Sequence, residues 1–83
     1  MRMYYVDFYD RQQGFTTLHE ALAECIKEFK RRDFYSIIEV YPNRETKRYI
    51  GYVRRGLNGF YYVSMGKRKQ VRLIGNDGRF RRI

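Results

Sequence analysis

The amino-acid sequence predicts an α+β fold, with one amphipathic helix packed on a mainly antiparallel, strongly twisted sheet of about five strands. Two patterns predict it, and they place the elements in the order β-α-β-β-β-β, with four or five strands after the helix. Apolar residues recur every three or four positions near residues 17–32, which is typical of a helix. Elsewhere, short segments rich in Tyr, Val, Ile and Phe alternate with turn residues, which is typical of strands. The 83 residues have room for one core, so we expect a single domain over residues 1–83.

The first predicted strand covers residues 3–9, where aromatic and β-branched residues are concentrated. Tyr4, Val6 and Phe8 share one face of such a strand, because side chains alternate between the two faces. The polar residues 10–14 end in glycine and predict a turn.

The predicted helix covers residues 17–32. It opens with Thr17 and Glu20, the spacing of a capping box, in which each side chain satisfies a backbone N–H of the first turn. A single apolar stripe follows, so the helix should cover one face of the sheet. The other face then stays partly open unless the sheet curls into a half-barrel. The stripe consists of Leu18, Ala21, Leu22, Cys25, Ile26 and Phe29.

The remaining strands form a predicted meander. The segment 35–41 is apolar on both sides, which favours a central position in the sheet. The turn signal Asn58-Gly59 predicts one hairpin, and the glycine-bounded segment 75–78 predicts another. The predicted strands around these turns are residues 46–54, 59–65, 69–74 and 79–83.

The positive charge is concentrated in the second half of the chain. The protein has a formal charge of +9, yet residues 1–41 contain six basic and seven acidic residues, a net charge of −1. Residues 42–83 contain twelve basic and two acidic residues, a net charge of +10, and nine of the twelve are arginine. Crowded cations repel one another unless a polyanion is nearby. Arginine also matches phosphate and base edges. The pattern predicts nucleic-acid binding.

Aromatic residues are interleaved with these bases, and such strands can hold phosphates with cations while rings stack on bases. We therefore predict a non-catalytic interface with the phosphate backbone of DNA or RNA, and the sequence leaves duplex and single strand open. The predicted contact residues are Arg48, Arg54, Arg55, Lys67, Arg68, Lys69, Arg72, Arg79, Arg81, Arg82, Tyr49 and Tyr62.

Two other functions remain open at this stage. One is a small inhibitor or adaptor, of the kind that phages and mobile elements encode, that docks on an acidic protein or a nucleic-acid-processing complex, because Tyr and Arg dominate binding hot spots. The other is a minimal metal-dependent nuclease using Asp7 and Asp10, which lie close together in the sequence. An exposed edge strand could also pair with a second copy to form a homodimer.

Several classes of site are excluded or disfavoured. One His and one Cys are too few for a His/Cys zinc site, and no glycine-rich phosphate loop precedes a helix. Cys25 belongs to the apolar stripe and His19 to the helix surface, so neither suggests catalysis. We expect no enzyme activity, metal or cofactor. A single Cys and the lack of any run of ~20 apolar residues favour a cytoplasmic protein without a membrane span.

Overall fold

The described chain consists of one helix and seven strands. The computed structural model describes residues 3–29, 34–40, 47–66 and 68–82. In chain order the elements are β1 (Met3–Asp7), β2 (Gln12–Phe15), α1 (Leu18–Lys27), β3 (Phe34–Val40), β4 (Lys47–Gly56), β5 (Gly59–Ser64), β6 (Gln70–Ile74) and β7 (Phe80–Arg81).

The strands form a single antiparallel sheet in the order β2-β1-β3-β4-β5-β6-β7. The predicted α+β class is confirmed, and β3 has a paired strand on each side, in agreement with its predicted central position. From β3 onward each strand pairs with the next one in the chain, which is the predicted meander.

The sequence prediction omits β2, because the polar residues 10–14 resemble a turn. In the structure, Gln12–Phe15 pairs with β1 as an edge strand, with Tyr5 opposite Gly14. An edge strand accepts polar residues because its outer side faces solvent. Phe15 anchors this strand, since its ring lies 6.4 Å from that of Phe8 in an edge-on contact.

The helix is shorter than predicted. Thr17 is its N-cap, and the Thr17 hydroxyl accepts a hydrogen bond from the Glu20 N–H at 3.4 Å. The Glu20 carboxylate accepts hydrogen bonds from the hydroxyls of Thr17, at 2.6 Å, and Thr16, at 3.1 Å, and these bonds lower the pKa of Glu20. The helix ends at Lys27 with Glu28 as C-cap, while residues 30–32 of the predicted helix lie outside the described residues.

The apolar stripe of the helix packs against one face of the sheet. Ala21, Leu22 and Cys25 are fully buried there. Burial raises the pKa of the Cys25 thiol, as expected for a core residue rather than a nucleophile. The sheet contributes side chains from β1, β4, β5 and β6, together with Phe8 beyond the end of β1; these are Val6, Phe8, Val53, Tyr62 and Ile74.

The sheet curls around the helix, so that elements from both ends of the strand order lie against it. On one side the helix packs against β1 and β2. On the other side, the turn between β6 and β7 places Gly78 against the backbone of His19 and Ala23. The helix therefore lies on the concave side of the sheet, and the opposite face is convex.

In the described segments, the helix α1 is not long and apolar enough to cross a membrane.

Gly78→Ala tests the contact between the helix and the β6–β7 turn. Gly78 has φ of 78°, and a methyl group at this position would overlap the carbonyl oxygen of His19. The left-handed backbone alone costs a non-glycine residue about 1–2 kcal/mol, and the overlap adds to this. We expect a loss of at least that size in the free energy of unfolding, measured by urea denaturation.

Gly66→Ala is the matched control, since a methyl group at position 66 meets no atom within 4 Å. Equal stability of the two variants would show that the turn does not rest on the helix.

Candidate nucleic-acid interface

The register of the last four strands divides their side chains between the two faces of the sheet. Val53 pairs with Tyr62, and both are buried in the core beneath the helix. Their sequence neighbours Arg54 and Tyr61, which pair with each other, therefore lie on the opposite face. We call this surface the open face; its residues on β4–β7 are Tyr52, Arg54, Tyr61, Val63, Val71, Leu73 and Arg81.

One row of the open face has a cation at each end. The pairs Arg54–Tyr61, Tyr61–Leu73 and Leu73–Arg81 follow one another across four adjacent strands. Neighbouring strands lie about 4.8 Å apart, so the two arginine positions are separated by ~14 Å across the sheet. A tyrosine and a leucine therefore form an apolar floor between two positive charges.

The second row of the open face shows how closely this floor is packed. Val63 lies between Tyr52 on β4 and Val71 on β6, and it is only 1% exposed although the helix is on the other side of the sheet. Val71 itself is 52% exposed. Val63 is therefore buried between its neighbours, whereas Val71 remains half exposed.

Tyr61 is held in place by a glycine on the neighbouring strand. Its ring occupies the space that a side chain at Gly56 would fill, since a methyl group there would lie 2.8 Å from Cδ2 of Tyr61. Tyr5 on β1 lies over Gly14 in the same way, 2.9 Å from such a methyl group. An aromatic ring over a glycine shields the strand backbone on one side. Tyr61 itself is partly exposed.

Among the predicted contact residues on the helix side of the sheet, Arg55 and Arg72 contact aromatic rings. The guanidinium of Arg55 is 5.6 Å from the ring centre of Phe29 and 5.5 Å from that of Phe60. The guanidinium of Arg72 is 5.0 Å from the ring centre of Phe80. Both arginines therefore cover the aromatic rim of the core through cation–π contacts, with their charges exposed to solvent.

Two further arginines contact Asp77 in the β6–β7 turn. The Asp77 carboxylate accepts a hydrogen bond from the Arg79 N–H and two from the Arg81 guanidinium, all at 3.0 Å. These bonds, that of the Arg79 N–H first, lower the pKa of Asp77. The Arg79 side chain is a more distant partner at 3.9 Å. Asp77 therefore partly neutralises Arg81 at the end of the open face.

Four predicted contact residues are exposed and form no ion pair within the described part of the chain. They are Arg54 on the open face, Arg68 and Lys69 in the loop between β5 and β6, and Arg82 after β7. Lys67 was also predicted and lies outside the described residues.

The other end of β4 carries Arg48 and Tyr49, both exposed. The register between β3 and β4 shifts here, because Ile37 pairs with Gly51 while Ile38 pairs with Tyr49, which leaves Ile50 as a bulge. Arg48 and Tyr49 line a cavity of about 530 Å³ beside this bulge, with Tyr4, Leu18, Met65 and Gly66 among its other walls. These two contact residues are therefore set apart from the row that contains Tyr61.

Tyr62 does not belong to the exposed surface. It is 5% exposed, its hydroxyl donates a hydrogen bond to the Ile50 carbonyl at 3.2 Å, and its ring stacks on Phe80 at 6.3 Å. The interleaving of aromatic and basic residues in the sequence predicts Tyr62 as a contact residue. In the structure its ring has no face available to a base.

Tyr5, Tyr52 and Tyr61 are not among the predicted contact residues, because alternation alone does not decide which face of the sheet is open. The signal that singles out Tyr61 is the glycine at position 56, one position before the two-residue turn. The same signal on β1 and β2 is the pair Tyr5–Gly14.

Asp7 and Asp10 are the residues that the metal-dependent nuclease alternative would use. No group of three or more His, Cys, Asp or Glu residues suited to a metal ion occurs within residues 3–29, 34–40, 47–66 and 68–82. Asp10 instead forms an ion pair with Arg11 at 3.0 Å. His19 lies where α1 contacts the β6–β7 turn.

Comparisons with protein-family models, with curated protein sequences and with solved structures gave no match. The function of this surface is therefore argued from its chemistry.

The hydrogen bonds of Asp77 predict an acid-dependent loss of stability. Because the folded protein lowers the pKa of this carboxyl, its contribution to stability is present above the unfolded pKa of about 3.9 and is lost as the pH falls through the folded value. A carboxyl titration followed by NMR should give a pKa below the ordinary value.

Arg81→Gln provides the comparison for this titration. The variant keeps the Arg79 N–H bond and loses the guanidinium bonds, so the pKa of Asp77 should rise part of the way towards its ordinary value. An unchanged pKa in this variant would contradict the ion pair.

Proposed function

We propose that this protein is a small, non-catalytic nucleic-acid-binding protein that uses the strands and loops of β4–β7. The observation that supports it is the accessibility of the charge in this region. Of the ten predicted basic contact residues, nine lie among the described residues, and all nine are exposed. Only two acidic residues, Glu45 and Asp77, accompany twelve bases in residues 42–83. A surface of this composition attracts phosphate groups and releases their counterions on binding.

The unpaired cations are the best candidates for phosphate contacts. Arg54, Arg68 and Lys69 can meet a phosphate without first breaking an ion pair in the described part of the chain. Arg81 would have to share its guanidinium with Asp77. Arg55 and Arg72 already contact aromatic rings, so they add charge near the surface while they cover the core.

A second candidate function is docking on an acidic protein, and the aliphatic part of the open face favours it. Val71 is 52% exposed and lies beside Leu73, and such side chains gain more from an apolar partner than from a phosphate. A pull-down after nuclease treatment distinguishes the two functions. A single protein recovered in stoichiometric amounts, without nucleic acid, would favour the second function over the first.

The proposed function predicts a strong dependence of affinity on salt. Binding to random-sequence duplex, single-stranded DNA and RNA should fall by orders of magnitude between about 50 mM and about 200 mM salt if six or more phosphates are contacted. Fluorescence anisotropy across a salt series measures this slope. The absence of binding at low salt, or a flat response, would contradict the proposal.

Substitutions that each remove one positive charge test which residues contact a phosphate, by the same salt series. Arg54→Gln, Arg68→Gln and Lys69→Gln should each reduce the slope of log K against log salt by up to about 0.7–0.9 if the residue contacts a phosphate. Lys27→Gln is the matched control, since it changes the net charge equally at an exposed position on the helix. An equal effect of Lys27→Gln would show that overall charge, rather than this region, governs binding.

A further inference from the structure

We infer that the open face binds single-stranded rather than duplex nucleic acid, with a base stacked on Tyr61 and a phosphate held by Arg54. This inference rests on the proposed function and names the form of the ligand. It is carried by three features of the open face: its curvature, the fixed position of the Tyr61 ring, and the arrangement of charge around that ring.

The curvature of the sheet argues against a duplex. The helix occupies the concave side, so the open face bulges outward. A duplex is itself a convex cylinder, and two convex surfaces meet over a small area. The major groove is about 12 Å wide, whereas β4–β7 alone span ~14 Å between the axes of the outermost strands. A flexible single strand can follow such a surface.

The Tyr61 ring is positioned for stacking before a ligand arrives. Its contact with Gly56 restricts the ring on the side that faces the strand. A base that stacks on the exposed part of the ring therefore orders few additional side-chain torsions, which lowers the entropic cost of binding. Base–aromatic stacking tolerates any sequence, because every base has a π-face.

The side chains around Tyr61 are placed to contact both the base and the phosphate of one nucleotide. Arg54 lies directly opposite Tyr61 in the register, and Leu73 lies on its other side. Paired positions on adjacent strands bring side chains within about 5 Å at Cβ, so one nucleotide can place its base on the ring and its phosphate at the guanidinium. Tyr52 is the diagonal neighbour of Tyr61 and offers a second ring.

The β6–β7 turn carries a carboxylate, so its charge is unsuitable for entering a groove that is lined with phosphates. Asp77 lies in this turn and is 48% exposed. A carboxylate at the tip would approach the phosphates that line the groove. On the open face, Asp77 pairs with Arg81, and no acidic residue of β4–β7 lies between Arg81 and Arg54 at the other end of the row.

The test compares four labelled probes by fluorescence anisotropy at low salt. They are an oligothymidylate, an oligouridylate, an abasic oligomer of the same length, and a duplex of the same length. The inference predicts that at least one of the first two binds more tightly than both the abasic oligomer and the duplex. Which of the two binds more tightly identifies DNA or RNA as the preferred single strand.

Variants of Tyr61 assign the effect to this face. Tyr61→Leu should weaken binding of the preferred oligonucleotide by about tenfold or more and leave binding of the abasic oligomer unchanged, because it removes stacking alone. Tyr61→Phe should retain the affinity, since it retains the ring. Tyr9→Leu is the matched control, because Tyr9 is 69% exposed and lies in the connection between β1 and β2. Thermal unfolding of each variant establishes that it is folded. Arg54→Gln provides a second variant, which leaves the packing of the Tyr61 ring over Gly56 unchanged.

Equal affinity for all four probes, or full affinity of Tyr61→Leu for the oligonucleotide, would overturn the inference and leave the proposed function standing. The absence of binding to every probe would instead overturn the proposed function.

Discussion

The burial of the helix stripe inside the curled sheet is the constraint from which the rest of the surface follows. Leu22, Val6 and Val53 are fully buried at this contact. Because side chains alternate along a strand, the position of Val53 in the core also determines that Arg54 points away from it. A shift of one residue in register would exchange the two and bury a charge. The pattern of charge on the open face is therefore a consequence of the core.

The same constraint divides the cations into groups with different physical roles. Arg55 and Arg72 cover aromatic rings at the rim of the core. Arg81 closes the β6–β7 turn through Asp77. Arg54, Arg68 and Lys69 have no comparable contact in the described chain. The formal charge of +9 is thus a mixture of structural and available charge, and a binding model that counts all the bases equally would overestimate the phosphate contacts.

The sequence predicts the parts of this structure that depend on local patterns. The stripe from Leu18 to Phe29 has the period of a helix, and the hydroxyl of Thr17 caps it as expected. Glycine and asparagine predict turns at 55–58 and 75–78, and the first of these is shorter in the structure because β4 extends to Gly56. The strand β2 is not predicted from the sequence, because its pairing with β1, rather than its own composition, makes it a strand.

Which face of β4 and β5 lies in the core is not predicted from the sequence, for a different reason. Adjacent residues Arg54 and Arg55 place one cation on each face, and Tyr61 and Tyr62 place one tyrosine on each face. Alternation alone cannot choose between two faces of such similar composition. The choice is made by contacts that are distant in sequence, above all Phe29 at the end of the helix region, whose ring lies 4.8 Å from that of Phe60. These contacts, which are distant in sequence, place Tyr62 in the core.

The composition of the open face also bears on why its charge is clustered. A partly exposed row that contains Tyr61 and Leu73 invites association with other apolar surfaces, and flanking cations oppose this. Solubility alone would be served by cations anywhere on the molecule. The clustering of a net charge of +10 in residues 42–83 instead adds self-repulsion, which destabilises the compact state. A bound polyanion removes that repulsion, so the charge distribution is more consistent with a ligand than with solubility alone.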